Sequence, residues 1–518
     1  MIQSFKFTAR LDQPNNTQTD FPPGHTLKTN NNDYGGSIHS LAPPIFASVP
    51  STNIMPVNQS IIGNRSGTVL QTKLAPEIVQ DLFYMMGLKN MFKYRIICRR
   101  INECLTDPHF AAFVVKRWAF VEPFIYQVWF SLPVTYKLAA ADAWIAGDRT
   151  CCDLINTNLK GEIPSEIGAA RTIITLSLSG SSLIGTIPSS IGNLTYLTKL
   201  TISQSSLSGT IPDEIGNLKS LETLDLSKNK LEGILPTSIG KLVKLEVLNL
   251  GNNQITGPFL PQICLLLSLK KLLLNNNLIE GNLPDEVFLP SCLFPTKISI
   301  LANLSNIDLS SNQLTGTIPN FLVSFPKLVS LDLSNNNFSG SLPTEYSQAS
   351  VLQTLNISSN QISGEIPASL ENLAYLVELR FNNNKITGPI PEAIAQSRLF
   401  TLNLGKNLIS GTIPPSLGQA KCLKTLNLAN NLISGLIPDE IGTINGLQVI
   451  DLSHNNLSGK FPTLLSELPE VKILNLSHNS LTGSVPENIL EEEGVGAMVD
   501  ISFNHFDHQI SNFVNTPV

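Results

Sequence analysis

The stretch at 221–236, LETLDLSKNKLEGILP, contains the pattern that decides the fold of this chain. Leu224 and Leu226 have the spacing of residues that face one side of a short strand, and Leu221 precedes them as a further inward leucine. Gly233 permits a tight turn without a side-chain clash, and the proline that follows cannot continue a strand ladder. A unit this short cannot bury its own leucines, so the pattern predicts that similar units pack on either side of it.

Glycines equivalent to Gly233 recur along the chain at a nearly constant spacing. They are Gly161, Gly185, Gly209, Gly233, Gly257, Gly281, Gly316, Gly340, Gly364, Gly388, Gly411, Gly435, Gly459 and Gly483. Of the thirteen intervals, eleven are 24 residues, one is 23 and one is 35. The long interval contains an insertion of eleven residues within 288–302, FLPSCLFPTKISILA. A period this regular predicts an α/β repeat solenoid with one continuous core.

An asparagine follows the leucines of most units. The series is Asn229, Asn253, Asn277, Asn312, Asn336, Asn360, Asn384, Asn407, Asn431, Asn455, Asn479 and Asn504. An amide side chain has both donors and acceptors, so a stacked column of asparagines is predicted to satisfy backbone groups where each strand bends. Thr157, Ser181 and Ser205 occupy this position in the first three units, so we expect the amino-terminal end of the array to be less tightly hydrogen-bonded and to lean on the connector that precedes it.

The composition divides the chain into five segments. Residues 1–72 are rich in Asn, Thr, Ser and Pro without periodicity, and are predicted to form a disordered leader. Residues 73–112 have apolar residues at helical spacing, and 113–150, which contain all three tryptophans, are predicted to form a helical connector that caps the array. Residues 151–507 hold about fourteen repeats, and 508–518 form a carboxy-terminal tail.

The charge and the cysteines narrow the functional classes. Only 14% of the 518 residues are charged and the net charge is −6, so no attraction to nucleic acid is predicted. No long apolar run predicts a membrane span, and the first residues have no apolar run of signal-peptide length. The seven cysteines are scattered, which favours reduced, mostly buried thiols. We therefore expect a cytoplasmic or nuclear location, with secretion as the minority hypothesis.

No motif of an enzyme or of a cofactor site is present. The chain has no phosphate-binding loop, no nucleophile elbow, no zinc-protease motif and no paired-cysteine metal spacing. His454 and His478 are 24 residues apart and should stack on adjacent strands, but the sequence offers no further metal ligands for them. We expect a protein that is not an enzyme and that needs no cofactor.

The 24-residue unit resembles the plant-type leucine-rich repeat of receptor-like proteins and polygalacturonase inhibitors. The resemblance implies a curved arc with a parallel β-sheet on its concave face, a second short sheet near the Gly-Ile-Pro segments, and the binding of a partner. One outward column lies between the two core positions of each strand, and its predicted partner-binding residues are Asp225, Asp308, Asp332, Asn356, Arg380, Asn403, Asn427, Asp451 and Asn475. The column favours a peptide or protein with some basic character, although each single residue is more simply interpreted as soluble filler.

Residues 74–110 resemble an F-box. Leu74, Pro76 and Glu77 match the opening of that motif, its middle contains Arg95 and its end Asp107-Pro108, while Ala75 and Ile101 depart from it. The resemblance implies docking to a Skp-type adaptor of a cullin complex. The predicted adaptor-binding residues are Leu74, Pro76, Ile78, Leu82, Met86, Met91, Phe92, Ile97 and Cys98.

Three functional hypotheses follow from these resemblances. The first is a substrate-recognition adaptor of a cullin-type ubiquitin ligase, in which the F-box binds Skp and the repeats bind an unknown target. The second is an extracellular-type recognition protein, receptor-like or similar to a polygalacturonase inhibitor, which the adjacent Cys151 and Cys152 before the first full repeat favour. The third is a repeat scaffold whose helical segment only caps the solenoid.

Overall fold

The computed structural model describes residues 151–153, 159–283, 303–323, 325–344, 351–396, 398–490, 498–507 and 514–515. The predicted leader, the helical segment at 73–112, the connector at 113–150 and the eleven-residue insertion lie outside the described residues. Within the described part of the chain, no helix has the length and apolar character that a membrane span requires.

One main sheet runs through the whole described array. It has sixteen strands, and strands that are neighbours in space are also neighbours along this series. In chain order the strands are Cys151–Asp153, Thr175–Ser177, Lys199–Thr201, Thr223–Asp225, Val247–Asn249, Lys271–Leu273, Asn306–Asp308, Ser330–Asp332, Thr354–Asn356, Glu378–Arg380, Thr401–Asn403, Thr425–Asn427, Val449–Asp451, Ile473–Asn475, Met498–Asp500 and Val514–Asn515. Every pairing is parallel except the last, which is antiparallel. The predicted parallel-strand solenoid is confirmed.

The register of the main sheet does not change where the repeat length does. Leu224 pairs with Leu248, one period later. Across the long interval Leu272 pairs with Ile307, in the same position of the strand. The longer interval therefore does not displace the column of side chains on the main sheet.

The core is one cluster that extends along the array. Leu221, Leu224 and Leu226 are each 0% exposed, as the spacing predicts, and the equivalent residues of the other repeats join the same cluster. Because each repeat packs its leucines against those of the next, every unit completes the burial of its neighbour.

A second set of short parallel strands follows the asparagine position of the repeats, whose asparagines from Asn229 to Asn504 we call the ladder asparagines. These strands form three sheets of seven, three and four strands. The strands are Lys160–Glu162, Ser182–Gly185, Ser206–Gly209, Lys230–Ile234, Gln254–Pro258, Leu278–Asn282, Gln313–Thr315, then Ser339–Ser341, Gln361–Glu365, Lys385–Thr387, then Ser434–Gly435, Asn456–Lys460, Ser480–Gly483 and His505–Phe506. This is the second sheet that the repeat resemblance implies. All fourteen repeat glycines lie in or beside it with positive φ, for example +74° at Gly233, where a side chain would be strained.

Short 3₁₀-helices, rather than α-helices, complete most repeats. They are Ser165–Ala169, Ser189–Asn193, Asp213–Asn217, Thr237–Lys241, Pro261–Leu265, Asn320–Val323, Ala368–Asn372, Glu392–Gln396, Pro415–Gln419, Asp439–Thr443 and Thr463–Glu467. One α-helical turn is present among the described residues, at Glu487–Leu490. The predicted α/β solenoid therefore has less α-helix in its described repeats than the fold class implies. A five-residue segment that starts after a proline and must return to the sheet has no room for a longer helix.

The asparagine column behaves as predicted. Asn229 Oδ1 accepts a hydrogen bond from the Leu207 backbone N–H (3.1 Å), and its Nδ2 donates to the carbonyls of Ile202 (2.7 Å) and Leu226 (3.0 Å). Each asparagine thus joins its own bend to the previous repeat. At the amino-terminal end Ser181 Oγ is buried without a partner, and Ser205 Oγ donates only to the Ser181 carbonyl (3.1 Å). The weaker bonding predicted there is confirmed at Ser181 and Ser205, whereas Thr157 lies outside the described residues.

The tail contains an element that the sequence does not predict. The strand Val514–Asn515 pairs antiparallel with Met498–Asp500, with Val499 opposite Asn515 and Asp500 opposite Val514. The tail thereby occupies the free edge of the last repeat strand, whose unpaired N–H and C=O groups would otherwise be exposed.

Candidate recognition surface on the main sheet

The outward residues of the main-sheet strands form one surface, which we call the open face. In Thr223–Asp225 the middle leucine is buried and the two flanking residues are half-buried, and the same pattern recurs in Val247–Asn249 and Asn306–Asp308. Because successive strand residues point to opposite sides, the first and third residues of each strand face away from the core.

All nine predicted partner-binding residues lie on the open face, at the third position of their strands. The strand register joins Asp225 to Asn249, Leu273 and Asp308, and continues from there to Asp500 without a break. The structure brings together Asp225, Asp308, Asp332, Asn356, Arg380, Asn403, Asn427, Asp451 and Asn475 in a single column. Arg380 is the one base in this column among the described strands.

Most side chains of the column also stabilise the end of their own strand. Asp225 Oδ1 accepts hydrogen bonds from both the backbone N–H (3.0 Å) and the Oγ (2.7 Å) of Ser227. The same pair of bonds to a serine two residues later is made by Asp308, Asp332, Asn356, Asp451, Asn475 and Asp500. Sequence reasoning missed this role, although the recurrent Asp/Asn-x-Ser spacing is its signal. The Oδ1 atom of each of these residues therefore serves the fold, while the second atom of the carboxyl or amide group takes no part in the bonds to the serine.

The centre of the column carries an acidic pair beside an amide. Asn356 Nδ2 donates to Asp332 Oδ2 (2.9 Å), and Asp308 lies on the next strand on the other side of Asp332. Burial raises the pKa of Asp308, the hydrogen bonds from Ser310 oppose that shift, and the neighbouring Asp332 charge adds to it. Arg380, two strands beyond Asp332, forms an ion pair with Glu378 (3.2 Å). This part of the open face offers negative charge to a cationic group.

The open face becomes more apolar towards its carboxy-terminal end. Val449, Ile473 and Met498 occupy the first position of three successive strands, and Ile473 and Met498 are 38% and 45% exposed. Nearby, Lys424 Nζ lies 4.9 Å from the centre of the exposed Phe400 ring. The face thus combines polar atoms that can hydrogen-bond an extended chain with side chains that can anchor apolar groups.

An aromatic stack lies at the rim of the last repeats. The rings of His454 and His478 are 4.1 Å apart at 11°, and those of His478 and Phe503 are 4.2 Å apart at 14°. The predicted stacking of the two histidines is confirmed. Among the described residues, no group of His, Cys, Asp and Glu side chains has the arrangement of a metal site.

The adjacent cysteines have separate environments. Cys152 is 3% exposed and pairs with Leu176 in the sheet, so it fills a core position of the repeat. Burial raises the pKa of Cys152, with smaller contributions from Asp153 and Cys151, and burial raises the pKa of Cys264 to about 11. Both buried thiols are therefore protonated and serve packing, whereas Cys422 is exposed.

The predicted adaptor-binding residues, from Leu74 to Cys98, all lie outside the described residues. No family model for an F-box matches this part of the chain.

Family models match the repeats. A model described as a leucine-rich repeat region matches residues 152–341, and a leucine rich repeat model matches 421–481. A third leucine rich repeat model matches 351–373, 375–397 and 398–420. The three models together span more than half of the chain.

Solved structures with the same array include plant receptors. The PEPR1–AtPEP1 structure is 33% identical, with a TM-score of 0.58, over 67% of this chain and 50% of that chain. The Arabidopsis receptor kinase HAESA, in complex with the peptide hormone IDA and the co-receptor SERK1, is 32% identical, with a TM-score of 0.59, over 74% of this chain and 65% of that chain. This chain therefore spans half of the first relative and just under two thirds of the second.

A bacterial protein shares the array as well. The Leptospira interrogans protein LIC12759 is 29% identical, with a TM-score of 0.53, over 71% of this chain and 93% of that chain. The comparison with curated proteins gives no match. Since the family models, the strand register and these structures agree, the chain belongs to the leucine-rich-repeat proteins.

Proposed function

We propose that the array is an extracellular-type recognition domain, without enzymatic activity, that binds an extended peptide along the open face of its main sheet. The proposal rests on the unbroken column from Asp225 to Asp500. Every strand of the column contributes a carboxyl or amide group, except the two strands that contribute Leu273 and Arg380. The similarity to the receptor kinase HAESA, whose structure holds the peptide hormone IDA, supports it.

The column fits a peptide of moderate length. Neighbouring strands lie about 4.8 Å apart, and an extended peptide advances about 3.3 Å per residue. Eleven steps from Asp225 to Asp500 therefore correspond to roughly 50 Å, or roughly 16 residues of extended peptide.

The charges favour a peptide with a basic residue over the centre of the column. Asp308 and Asp332 are adjacent, and Asp332 is the acceptor of Asn356. A lysine or arginine side chain placed there would relieve the repulsion between the two carboxylates and would gain charge-assisted hydrogen bonds.

Binding of displayed peptides tests the proposal. A library of random 16-residue peptides is selected on the full chain, and affinities are then measured for the native chain and for a variant with Asp308→Asn and Asp332→Asn. Asparagine can keep the bond to the following serine, as Asn356 does, so the fold is retained while two charges are removed. We expect basic peptides to lose at least about tenfold in affinity, equivalent to about 1.4 kcal/mol.

The matched control removes two charges elsewhere. Glu232 and Glu280 are exposed on the second sheet. The combined variant Glu232→Gln and Glu280→Gln should leave peptide affinity unchanged. If no peptide is selected, or if both double variants weaken binding equally, the open face is not the binding surface.

The ubiquitin-ligase hypothesis stays a prediction, since it rests on residues 74–110. Capture of a purified Skp-type adaptor by the full chain tests it, with Pro76→Asp and Phe92→Asp as the combined variant that should abolish capture. A full chain that does not bind the adaptor would remove that hypothesis without touching the peptide proposal.

A further inference from the structure

The repeat pattern creates Asn-x-Ser/Thr sequons at several places, and the structure separates them into distinct environments. The six sequons in the described part of the chain begin at Asn193, Asn303, Asn337, Asn356, Asn456 and Asn475. The tripeptides at Asn456 and Asn475 are identical, so a difference between these two as acceptors of a glycan must come from their surroundings.

Three of these asparagines are exposed and lie away from the open face. Asn337 and Asn456 directly follow the ladder asparagines, where the chain enters the second sheet, and Asn193 ends the 3₁₀-helix Ser189–Asn193. Among the described residues, none of the three side chains makes a hydrogen bond. The amide nitrogen of each is therefore available, and a group attached to it would extend into solvent.

Two sequons lie on the open face, and there both the asparagine and the hydroxyl residue take part in the fold. Asn475 Oδ1 accepts from the backbone N–H (3.1 Å) and the Oγ (2.7 Å) of Ser477, which is 3% exposed. Asn356 makes the same bonds with Ser358, and its Nδ2 also donates to Asp332 Oδ2 (2.9 Å). A glycan on either nitrogen would lie across neighbouring strands about 4.8 Å away.

We propose that Asn193, Asn337 and Asn456 are the N-glycosylation sites of the folded array, and that Asn356 and Asn475 are not glycosylated in it. The inference rests on the proposed extracellular-type function and deepens it, because this distribution keeps the open face clear for a peptide. Asn303 borders residues outside the described range and accepts a bond from Lys327 Nζ (2.8 Å), so it is not part of the proposal.

The chemistry is a transfer from a lipid-linked oligosaccharide diphosphate. The side-chain amide nitrogen forms a bond to C1 of the first sugar, and the bond between C1 and the diphosphate oxygen breaks. The diphosphate lipid leaves with the electron pair, and the nitrogen loses one of its two protons. A glycosylated Asn356 would keep one N–H, so the sugar would have to share the space beside the neighbouring strand with the bond to Asp332 Oδ2.

Asn456 and Asn475 provide an internal comparison, because both begin the tripeptide Asn-Leu-Ser, in consecutive repeats. The full chain is expressed behind a cleavable secretion signal in a eukaryotic host, and the folded, secreted protein is digested. Mass spectrometry after glycosidase treatment in ¹⁸O water then gives the occupancy of each site. We expect occupancy at Asn456 to exceed that at Asn475 by at least tenfold, with Asn193 and Asn337 like Asn456.

Two variants test the same difference through the total glycan mass of the protein, without the occupancy of each site. Asn456→Gln should remove the mass of one glycan, and Asn475→Asp, which has the residue found at Asp451 and Asp500, should leave the glycan mass unchanged. Equal occupancy of Asn456 and Asn475 in monomeric secreted protein would overturn the inference, as would empty sites at Asn193, Asn337 and Asn456.

Failure of the proposed function would have a different signature. Protein isolated from its natural source that carries no glycan at all would contradict an extracellular role, even if the selectivity in forced secretion were as expected. Conversely, glycans at Asn356 or Asn475 with intact peptide binding would overturn only this inference.

Discussion

At the scale of single residues, the ladder asparagines contribute most clearly to stability. Asn431 is 7% exposed, and its Oδ1 accepts from the Ile409 N–H (3.0 Å) while its Nδ2 donates to the carbonyls of Leu404 and Leu428 (3.0 Å each). Buried backbone groups that lose their partner cost about 1–3 kcal/mol each. A single side chain therefore holds together backbone groups of two repeats.

Removal of one ladder amide should destabilise the array. For Asn431→Ala we expect the free energy of unfolding to fall by about 2–4 kcal/mol, because buried donor and acceptor groups of both repeats lose their partner. Urea unfolding followed by circular dichroism measures the change. Ser205→Asn introduces a ladder amide where the sequence lacks one. Its partners would be the backbone groups of Leu178, Leu183 and Ile202, so the variant should stabilise the amino-terminal repeats. A variant Asn431→Ala as stable as the native chain would contradict this account.

The burial of Asp308, together with the charge of the neighbouring Asp332, makes stability depend on pH. Because the pKa of Asp308 is raised in the folded chain, the folded form binds that proton more tightly than the unfolded form. Its contribution is then most favourable at low pH and is lost as the pH rises from the ordinary value of 3.8 through the raised pKa. Asp308→Asn should therefore gain stability relative to the native chain as the pH rises above 3.8. Asp225→Asn, whose column neighbours are Thr201 and Asn249, is the control, and an equal pH trend in both variants would exclude the proposed cause.

At the scale of elements, contact between successive 3₁₀-helices limits the size of the fourth residue in several of these helices. A Cβ atom on Gly216 would lie 2.5 Å from the Ser238 carbonyl oxygen, and one on Gly192 would lie 2.5 Å from that of Glu214. At Gly192 and Gly216 the close packing of neighbouring repeats thus leaves no room for a side chain, whereas Cys264 and Ala395 occupy the equivalent position in other repeats.

A methyl group at this contact should force the repeats apart. Gly216→Ala is expected to lower the free energy of unfolding by about 1–3 kcal/mol, as overpacking of a close contact does. Gly446→Ala is the matched control, since its nearest neighbour, the Leu423 carbonyl oxygen, is 3.8 Å away. Chemical unfolding of both variants measures the difference, which would be absent if the helices could separate without cost.

At the scale of the whole array, the last strand covers the carboxy-terminal edge of the main sheet. The strand Val514–Asn515 covers Met498–Asp500, the end of an otherwise parallel sheet. An uncovered edge strand presents unpaired backbone groups that can pair with another chain.

Loss of the tail strand should therefore cause self-association. A chain truncated after Asp507 is expected to form dimers or larger species at rising concentration, because its sheet edge is open. A chain truncated after Asn515 keeps the strand and should stay in the state of the full chain. Sedimentation at several concentrations distinguishes the two, and identical behaviour of both truncations would show that the tail does not protect the edge.

The sequence by itself predicted the repeat, the parallel strands, the buried leucines and the asparagine column. Each of these depends on contacts between a residue and its equivalent 24 positions away, so the spacing contains the information. The predicted partner-binding residues also fall in one column, from Asp225 to Asn475, because strand alternation places them there. Their binding role, and that of the adaptor-binding residues from Leu74 to Cys98, stays a prediction.

Only the tertiary structure decided which of the similar asparagines are exposed and what pairs with the edge of the main sheet. It showed that Asn456 is exposed while Asn475 is hydrogen-bonded to Ser477, and that Val514–Asn515 returns to the sheet. A local pattern fixes which residues recur, whereas exposure and edge pairing depend on what packs beside each residue. Packing of that kind joins segments far apart in the chain, and the repeat spacing does not encode it.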